Sequence, residues 1–505
     1  MKRKKILDNR LFIIFFCFIT SFLILLICSK SSPLYPFNDW VDANAFFTMG
    51  KGLFNGKVLY KDLFEQKGPL LYFIYGIGYL ISNTSFLGVF IIEVISFTIL
   101  LFYCYKIINL FLNKNEYLII LPLFSIVLCT SRAFTHGGSA EELCLPLLAY
   151  STYTLLRYII NKEINYTIVF INGLITGSIF LIKFNLLGFW FIWIICLLFN
   201  YLKEKEYQKL IITMMFYSLG VFVPYGIWII YFLINDGLYD FVYAYFYVNI
   251  FSYTKSGGIV IGLENFLKTL VSNGLVIFSL IVAIPNFIKN IKINKINKIF
   301  FFLSILFLII GIYGGGTSFR YYILMVLFFS LFSFIKLIEY YQKLLNKIMN
   351  WKYSYIIYIG FYVCVILSSF IFSNNIYMMR NNKDTLPHYK FAKIINEETN
   401  PTILNYGKLD LGIYTLTNVV PNIKYFEQQN LNYKKYPENA DAQLKYIKEK
   451  RTMFVVYANT LQKEALQEKI PELFENYELV AEEEHFFEDV TYNFYLFKLK
   501  LDGDK

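Results

Sequence analysis

The stretch LFIIFFCFITSFLILLICS, residues 11–29, contains no charged side chain. A helix of about 20 apolar residues is long enough to cross the hydrocarbon core of a bilayer. Residues 1–10, which precede it, carry five basic side chains and one acidic side chain. The run is too long for a signal-peptide core, and no small-residue cleavage motif follows it. The stretch therefore predicts a retained first transmembrane helix with a cytoplasmic N-terminus.

Ten further apolar runs along the chain predict additional spans. The 505 residues are 57% hydrophobic and only 16% charged, whereas soluble domains carry about a quarter charged residues. The sequence predicts a polytopic α-helical membrane protein with about eleven transmembrane helices and the lipid bilayer as its surroundings. A shorter run, residues 69–81, is predicted to be a helix lying at the outer interface. The predicted spans are residues 11–29, 86–112, 117–131, 140–160, 166–182, 185–200, 210–234, 263–288, 299–313, 321–337 and 353–372.

Basic residues are unevenly distributed between the loops on the two sides of these spans. Cytoplasmic loops of membrane proteins are enriched in Lys and Arg. Counting from a cytoplasmic N-terminus, every inward loop is basic, and the short outward loops carry mostly single basic residues. The pattern predicts a multi-pass protein of the plasma membrane. The inward residues are Lys106, Lys114, Arg157, Lys162, Lys203, Lys205, Lys209, Lys289, Lys292, Lys295, Lys298, Lys343, Lys347 and Lys352; the outward ones are Arg132, Lys183, Lys255 and Arg320.

The character of the chain changes after residue 373. Residues 1–373 carry 30 basic against 16 acidic side chains, and residues 374–505 carry 17 against 20. This distribution argues against a uniform basic surface for nucleic acid. It predicts a membrane domain over 1–373 and a small α/β domain over 374–505, which an odd number of spans places outside the cytoplasm. The strand-like runs are residues 402–406, 453–457 and 493–499, and a helical stretch is 461–469.

The first predicted outer loop, residues 30–85, is longer and more basic than a connector requires. Its segments FNDWVDANAFF (37–47) and YKDLFEQKGPL (60–70) place acids, a lysine and a Lys-Gly-Pro turn at the membrane surface. A surface loop with solvated charges is the alternative interpretation. The candidate functional residues of this loop are Asp39, Asp42, Asp62, Glu65 and Lys67.

Three other outward turns place ionisable residues where apolar helices end. Such groups are costly at a bilayer boundary unless they are paired or used. Arginine with tyrosine hydroxyls suits an anionic group such as phosphate, and the glycines at 314–316 let backbone come close. The structural alternatives are an ion pair of Arg132 with Glu141 or Glu142, a lysine that reaches the interface, and an aromatic belt with one cation. The candidates are Arg132, Glu141, Glu142, Lys183, Arg320 and Tyr321.

No cysteine or histidine spacing indicates a metal site or a bound cofactor. The seven cysteines lie in or beside apolar runs, so the C-terminal part has no disulfide framework. A divalent metal shared by Asp39, Asp42 and Glu141 is conceivable, although nothing in the sequence points to one.

The outer segments resemble those of bacterial GT-C glycosyltransferases, a group similar to protein O-mannosyltransferases and the lipid A aminoarabinose transferase. The resemblance is strongest in the first outer loop, at residues 42–52 and 60–70. It extends to the Gly137-Gly138 turn with Glu141 and Glu142, to Lys183 and to the Arg320-Tyr321 turn. It implies a GT-C-like fold and an enzyme that transfers a sugar, with inversion, from a polyprenyl-phosphate donor on the outer face of the membrane.

Residue roles follow from this resemblance. In the family, the first-loop aspartate acts near the acceptor hydroxyl, and Asp42 matches that position better than Asp39. The lysine of the Lys-Gly-Pro turn holds the donor phosphate, which implies this role for Lys67, with Arg320, Tyr321 and Lys183 as further phosphate-binding candidates.

One position departs from the family pattern. The residue before the turn lysine is commonly His or Glu in relatives, whereas this chain has Gln66, next to the carboxylate of Glu65. The sugar is unspecified by the sequence, and the acceptor could be a cell-surface glycan, a teichoic-acid-like polymer, a lipid or a protein.

Three other functions fit parts of the pattern. A transporter or flippase of lipid-linked glycans would place ionisable groups near the bilayer midplane, often within inverted repeats. Here the acids cluster at one boundary and no repeat is visible. A glycan polymerase or ligase differs in donor size more than in chemistry, and a non-catalytic sensor with an outer domain is the third alternative.

Overall fold

The structure is a computed structural model that describes residues 9–112, 115–253, 258–286, 294–342, 354–487 and 490–500. Several residues used in the topology argument lie outside the described residues. They are the basic flank at 1–8, the predicted span ends at 287–288 and 353, and Lys114, Lys255, Lys289, Lys292, Lys343, Lys347 and Lys352.

Within the described residues, eight helices are long and apolar enough to cross a membrane. A ninth candidate consists of Gly258–Val271 and Gly274–Asn286, which are bent by 103° at a short break. Two shorter apolar helices, Tyr117–Thr130 and Gly188–Lys203, occupy the remaining predicted spans. The prediction of a polytopic helical membrane protein is therefore confirmed. The eight long helices are Arg10–Cys28, Leu87–Ile108, Ala140–Asn161, Tyr166–Leu186, Tyr207–Ile234, Lys295–Tyr313, Arg320–Tyr340 and Tyr355–Phe372.

The bent pair occupies the predicted span over residues 263–288, and its bend was not predicted from the sequence. The helix ends at Val271, and the next one begins at Gly274 after Ser272 and Asn273. Ser, Asn and Gly favour turns because their side chains, or the lack of one, stabilise non-helical backbone. Three such residues in succession explain a break that overall apolarity does not reveal.

The chain divides into two compact units, each built from separate segments. The first contains Met1–Ser32, Ile91–Ile227 and Lys255–Ile376, and the second contains Pro33–Phe90, Trp228–Thr254 and Tyr377–Lys505. The first predicted outer loop and the C-terminal segment therefore belong to the same unit. The boundaries 1–373 and 374–505 concern position relative to the membrane and stay a prediction.

In the second unit, the first outer loop forms two helices, Val41–Phe54 and Pro69–Ile81. The second of these is the helix predicted over residues 69–81. The two helices meet backbone to backbone: a Cβ atom on Gly50 would lie 2.5 Å from the amide nitrogen of Gly76 and 2.6 Å from the carbonyl oxygen of Tyr72. Only a glycine at position 50 allows this approach.

The C-terminal segment of the second unit contains a four-stranded sheet of β1 (Ile403–Tyr406), β2 (Phe454–Asn459), β3 (Tyr477–Phe487) and β4 (Val490–Leu499). The order is β1-β2-β4-β3. β1 and β2 are parallel, and the other two pairs are antiparallel. The predicted α/β fold is thus confirmed. The remaining helical elements of the unit include Leu238–Phe241, Val242–Tyr253, Pro387–Asn396, Ile413–Leu416, Glu438–Lys448, Lys463–Lys469 and Pro471–Asn476.

Candidate active site

Asp42 lies in the first turn of the helix Val41–Phe54, and its side chain is half-buried. A carboxylate at this position interacts favourably with the helix dipole. Buried amides fix the helix start: Asn38 Oδ1 accepts a hydrogen bond from the Trp40 amide at 3.2 Å, and Asn44 Nδ2 donates to the Trp40 carbonyl at 2.9 Å. The position of Asp42 is therefore well defined.

Lys67 is held in the turn that precedes the helix Pro69–Ile81. The buried carboxylate of Glu65 accepts hydrogen bonds from the Lys67 amide at 2.8 Å and from the Tyr72 hydroxyl. Lys67 Nζ lies 3.5 Å from Glu65 Oε1. The Tyr60 hydroxyl donates to the Lys67 carbonyl at 2.6 Å. Glu65 and the two tyrosines thus fix both the backbone and the ammonium group of this lysine.

Lys67 and Asp42 are related through the ring of Phe46. Lys67 Nζ lies 5.9 Å from the centre of that ring. Phe46 follows Asp42 by four residues on the same helix, and side chains spaced in this way lie on one face, with Cβ atoms about 5–6 Å apart. The second unit therefore places the Lys67 ammonium over the helix face that carries Asp42.

Gln66 lies between Glu65 and Lys67 in the same turn. Its side chain is 3% exposed, and its Oε1 atom has no hydrogen-bond partner among the described residues. Its backbone carbonyl accepts a hydrogen bond from Asn249 Nδ2 at 2.6 Å. A buried acceptor without a partner costs free energy that a ligand donor can recover.

Two further buried carboxyl groups, Asp410 and Glu427, lie in the same unit. The Thr48 hydroxyl donates to Asp410 Oδ2 at 2.5 Å, and the Asp410 amide donates to Glu427 Oε2 at 2.6 Å. Burial raises the pKa of Asp410 to about 6 and raises the pKa of Glu427 well above its usual range. The charges of Asp410, Glu65 and Asp42 add to the rise in the pKa of Glu427. Three carboxyl groups therefore act on this residue.

Lys51 is the buried cation of this network. Its Nζ donates to the carbonyl oxygens of Tyr414 and Thr417, each at 2.6 Å. Burial lowers the pKa of Lys51 to about 8, and the charge of Asp410 opposes that shift. Lys51 therefore joins the helix that carries Asp42 to the segment that follows β1.

Asp39 and Asp62 have polar partners within the second unit. Asp39 Oδ2 lies 3.0 Å from Nε2 of His485 on β3. Asp62 Oδ2 accepts a hydrogen bond from the Val58 amide at 2.7 Å and closes a turn of the first outer loop. Both residues, predicted as supporting ones, have contacts that shape the loop.

In the first unit, the structure brings Lys183 together with Glu141 and two tyrosines. Lys183 Nζ lies 2.5 Å from Glu141 Oε1, and both side chains are buried. The same ammonium lies 4.1 Å from the ring centre of Tyr322 and 5.4 Å from that of Tyr321. Lys183 is therefore paired and stacked on aromatic rings.

Glu142 and the unpredicted Glu93 both contact the Gly137-Gly138 turn of the first unit. Glu142 Oε2 accepts a hydrogen bond from the Gly138 amide at 2.7 Å. The Ser29 hydroxyl donates to Glu93 Oε2 at 2.8 Å. Gly137 has a φ of +86°, and a Cβ atom there would lie 2.9 Å from Glu93 Oε1. The backbone conformation and the neighbouring carboxylate both favour glycine at this position.

The two predicted arginines, Arg132 and Arg320, are exposed. Arg320 begins the short turn Arg320–Ile323 that carries Tyr321. In the part of the chain that the structure describes, no ion pair joins Arg132 to Glu141 or Glu142, because Glu141 pairs with Lys183 and Glu142 with the Gly138 amide. The local ion pair considered for Arg132 is therefore not formed.

Among the described residues, no group of three or more His, Cys, Asp or Glu side chains is arranged to hold a metal ion. Asp39 and Glu141, two of the three carboxylates considered for a shared metal, already have His485 and Lys183 as partners.

Five of the acidic, basic and histidine residues described above have buried polar contacts and were not predicted from the sequence. Glu93 had a clear signal, since it is the only acid in the predicted span 86–112. Asp410 ends the glycine-containing segment NYGKLD at 405–410, whereas Glu427 and His485 carried no local signal. The five are Lys51, Glu93, Asp410, Glu427 and His485.

Comparisons with known proteins place the fold. No curated protein matches the chain. A crystal structure of ArnT from Cupriavidus metallidurans bound to undecaprenyl phosphate is 11% identical, with a TM-score of 0.59 over 96% of this chain and 97% of ArnT. The apo structure is 10% identical, with a TM-score of 0.57 over 95% of each chain. The chain therefore has an ArnT-like fold, which confirms the fold class predicted from the sequence. The family model described as "Putative competence-induced protein Ccs4 N-terminal domain" matches residues 2–382, well over half of the chain, and the chain belongs to that family.

Proposed function

We propose that this chain is a membrane glycosyltransferase that moves a sugar from a polyprenyl-phosphate donor to a cell-surface acceptor. Asp42 acts as the general base and Lys67 binds the donor phosphate. The acceptor is a glycan, a teichoic-acid-like polymer, a lipid or a protein.

One observation carries this proposal: the Lys67 ammonium lies over Phe46, on the helix face that carries Asp42. A carboxylate and a fixed cation on one face are the two groups that displacement of a phosphate ester by a hydroxyl requires. ArnT, which shares the fold, has been crystallised with undecaprenyl phosphate, and this supports a polyprenyl-phosphate donor.

The reaction is a single displacement. The acceptor hydroxyl gives its proton to the Asp42 carboxylate as its oxygen bonds to the anomeric carbon of the donor. The bond from that carbon to the phosphate oxygen breaks, and the electron pair leaves with the phosphate. Lys67 stabilises the negative charge that develops there. One displacement inverts the anomeric centre and needs no covalent sugar–enzyme intermediate.

Glu65 takes over the charge that Gln66 lacks. Its carboxylate lies 3.5 Å from Lys67 Nζ and is held by the Tyr72 hydroxyl. Gln66 then presents a buried carbonyl oxygen without a partner among the described residues, which suits a hydroxyl group of the sugar.

Arg320, Tyr321 and Lys183 are proposed as further phosphate-binding residues. Arg320 is exposed and open to an anionic ligand. Lys183 has to exchange part of its contact with Glu141 for the phosphate, because the two atoms now lie 2.5 Å apart.

The reaction is proposed to take place on the outer face of the membrane, with the N-terminus in the cytoplasm. An alkaline phosphatase reporter fused after Ser373 is expected to be active, and a green fluorescent protein fused there is expected to be dark. The reverse result would place the C-terminal segment in the cytoplasm and contradict this orientation.

Surface glycans test the function itself. Cells that lack the gene are expected to lose one sugar substituent from a surface polymer, lipid or protein, and the wild-type gene is expected to restore it. Mass spectrometry of the purified glycans identifies the sugar and the acceptor together. Identical glycans with and without the gene would rule out the proposed transfer.

A further inference from the structure

A cavity of about 160 Å³ lies within the second unit. Neither Asp42 nor Lys67 lines it. It is formed by the segment before the helix Val41–Phe54, the loop after β1 and the hairpin of β3 and β4. Its lining includes Asp39, His388, Lys408, His485, Tyr492 and Phe494.

The sheet forms the aromatic side of this cavity. His485 on β3 lies directly opposite Tyr492 on β4, and Phe494 follows two residues later on the same face. Ala458 on β2 is the cross-strand partner of Phe494. Both residues line the cavity.

Polar side chains of Asp39, His388, Asn430 and His485, called the polar wall below, lie beside these rings. Asp39 Oδ2 lies 3.0 Å from His485 Nε2, and the Asp39 side chain is fully buried. The rings of His388 and His485 meet edge to face with centroids 4.8 Å apart. Carboxylate, imidazole and the amide of Asn430 at the same cavity supply both donors and acceptors of hydrogen bonds.

Lys408 adds a cation. Its Nζ lies 4.7 Å from the ring centre of Tyr492, its side chain is half-buried, and burial lowers its pKa. No ion pair to Lys408 occurs among the residues that the structure describes. A partly desolvated ammonium without a counter-charge is stabilised when an anionic group binds beside it.

We propose that this cavity binds one saccharide ring that carries a phosphate or carboxylate group. A cavity of about 150 Å³ holds a benzene ring, so a space of about 160 Å³ accepts the six-membered ring itself. The hydroxyl and anionic substituents need further space, which lies toward the half-buried Lys408 side chain. The C–H face of the sugar packs on Tyr492 and Phe494, its hydroxyls bond to the polar wall, and its anionic group pairs with Lys408. The inference that this ring is part of the acceptor rests on the proposed function. The binding of the ring in the cavity does not depend on that function.

The test uses the purified full-length chain in lipid nanodiscs, with glucose 6-phosphate, glucose and inorganic phosphate as probes in calorimetric titrations. Wild-type protein is expected to bind glucose 6-phosphate more tightly than either of the other two. Lys408→Gln is expected to weaken glucose 6-phosphate binding at least about tenfold and to leave glucose binding nearly unchanged. Tyr492→Ala is expected to weaken the binding of both glucose 6-phosphate and glucose. Lys463→Gln, an exposed lysine outside the cavity, is the matched control.

Three outcomes overturn the proposal: no binding of glucose 6-phosphate to wild type, equal affinity for inorganic phosphate, or unchanged affinity in Lys408→Gln and Tyr492→Ala. Thermal unfolding at the wild-type midpoint confirms that each variant is folded. If the predicted binding pattern is found in a protein that transfers no sugar, the cavity assignment stands and the proposed function fails.

Discussion

Lys183 Nζ lies 2.5 Å from Glu141 Oε1, and the Glu141 side chain is only 1% exposed. Removing one member of a buried ion pair leaves the other charge uncompensated and costs about 3–5 kcal/mol. Lys183→Met alone is therefore expected to lower the unfolding midpoint. Lys183→Met combined with Glu141→Gln is expected to recover most of that stability.

The double variant also separates structure from function. If Lys183 contributes to binding the donor phosphate, the recovered protein still transfers sugar more slowly than wild type. Thermal unfolding and transfer assays on the same preparations check both parts. A double variant with full activity would restrict Lys183 to a structural role.

Asp42→Asn keeps the size of the side chain and removes the base. The expected loss in transfer rate is about 10²–10⁴-fold, the usual contribution of general base catalysis. Surface glycan content in complemented cells measures it at matched protein levels. Asp441→Asn, an exposed aspartate on the helix Glu438–Lys448, serves as the control. Normal glycans with Asp42→Asn would remove the base assignment.

Lys67→Ala removes the cation over Phe46. Because the ammonium is expected to contact the donor phosphate, the KM for the donor should rise at least about tenfold. Lys61→Ala is the matched control, since Lys61 is an exposed lysine of the same loop that donates to the Asn235 carbonyl. Equal effects of the two substitutions would argue that overall charge, rather than the placement of Lys67, is what matters.

The raised pKa of Asp410 predicts that the stability of the protein depends on pH. Its pKa rises from 3.8 unfolded to about 6 folded because of burial, so between these values the folded state binds the proton more tightly. The contribution of Asp410 to stability is therefore present below pH 4 and is lost as the pH rises through 6. Two pKa units correspond to about 3 kcal/mol.

Asp410→Asn is expected to lack this change. Unfolding midpoints of both proteins between pH 4 and 8 give the comparison, and the difference between the two curves isolates Asp410 from other carboxyl groups. Parallel curves across that range would show that Asp410 does not titrate with a raised pKa.

The spans were predictable because a bilayer imposes one simple requirement, a long apolar helix, that a single stretch of sequence satisfies. The bend between Val271 and Gly274 was missed for the same reason, since two short polar residues barely alter the apolarity of the run. A local sequence pattern therefore predicts that a segment spans the membrane, but it does not predict whether the helix bends.

Strand β3 shows a different limit. The sequence YELVAEEEHFF at 477–487 contains four glutamates and no clear apolar alternation, so no strand was predicted there. β3 lies at an edge of the sheet and is mostly half-exposed. Charged side chains on an edge strand discourage pairing with other chains. The same glutamates that protect the edge also remove the apolar alternation by which a strand is predicted from the sequence.

The candidate site was predicted in part. Glu65 and Lys67 were found because they are close in sequence. Asp410 and Thr48 are 362 residues apart and share a hydrogen bond, a relationship that only the folded chain creates. The contacts of Asp410 could not be predicted from the sequence, because the sequence does not show which distant segments pack together.

The contact between Gly50 and Gly76 has a practical consequence for altering the sugar preference. The backbones of the helix that carries Asp42 and of the helix that follows Lys67 are in direct contact there. A larger side chain at either glycine is therefore expected to push the two helices apart and to displace Asp42 and Lys67. Redesign of donor choice should therefore leave both glycines untouched and vary the side chains that project into the reaction space, beginning with Gln66.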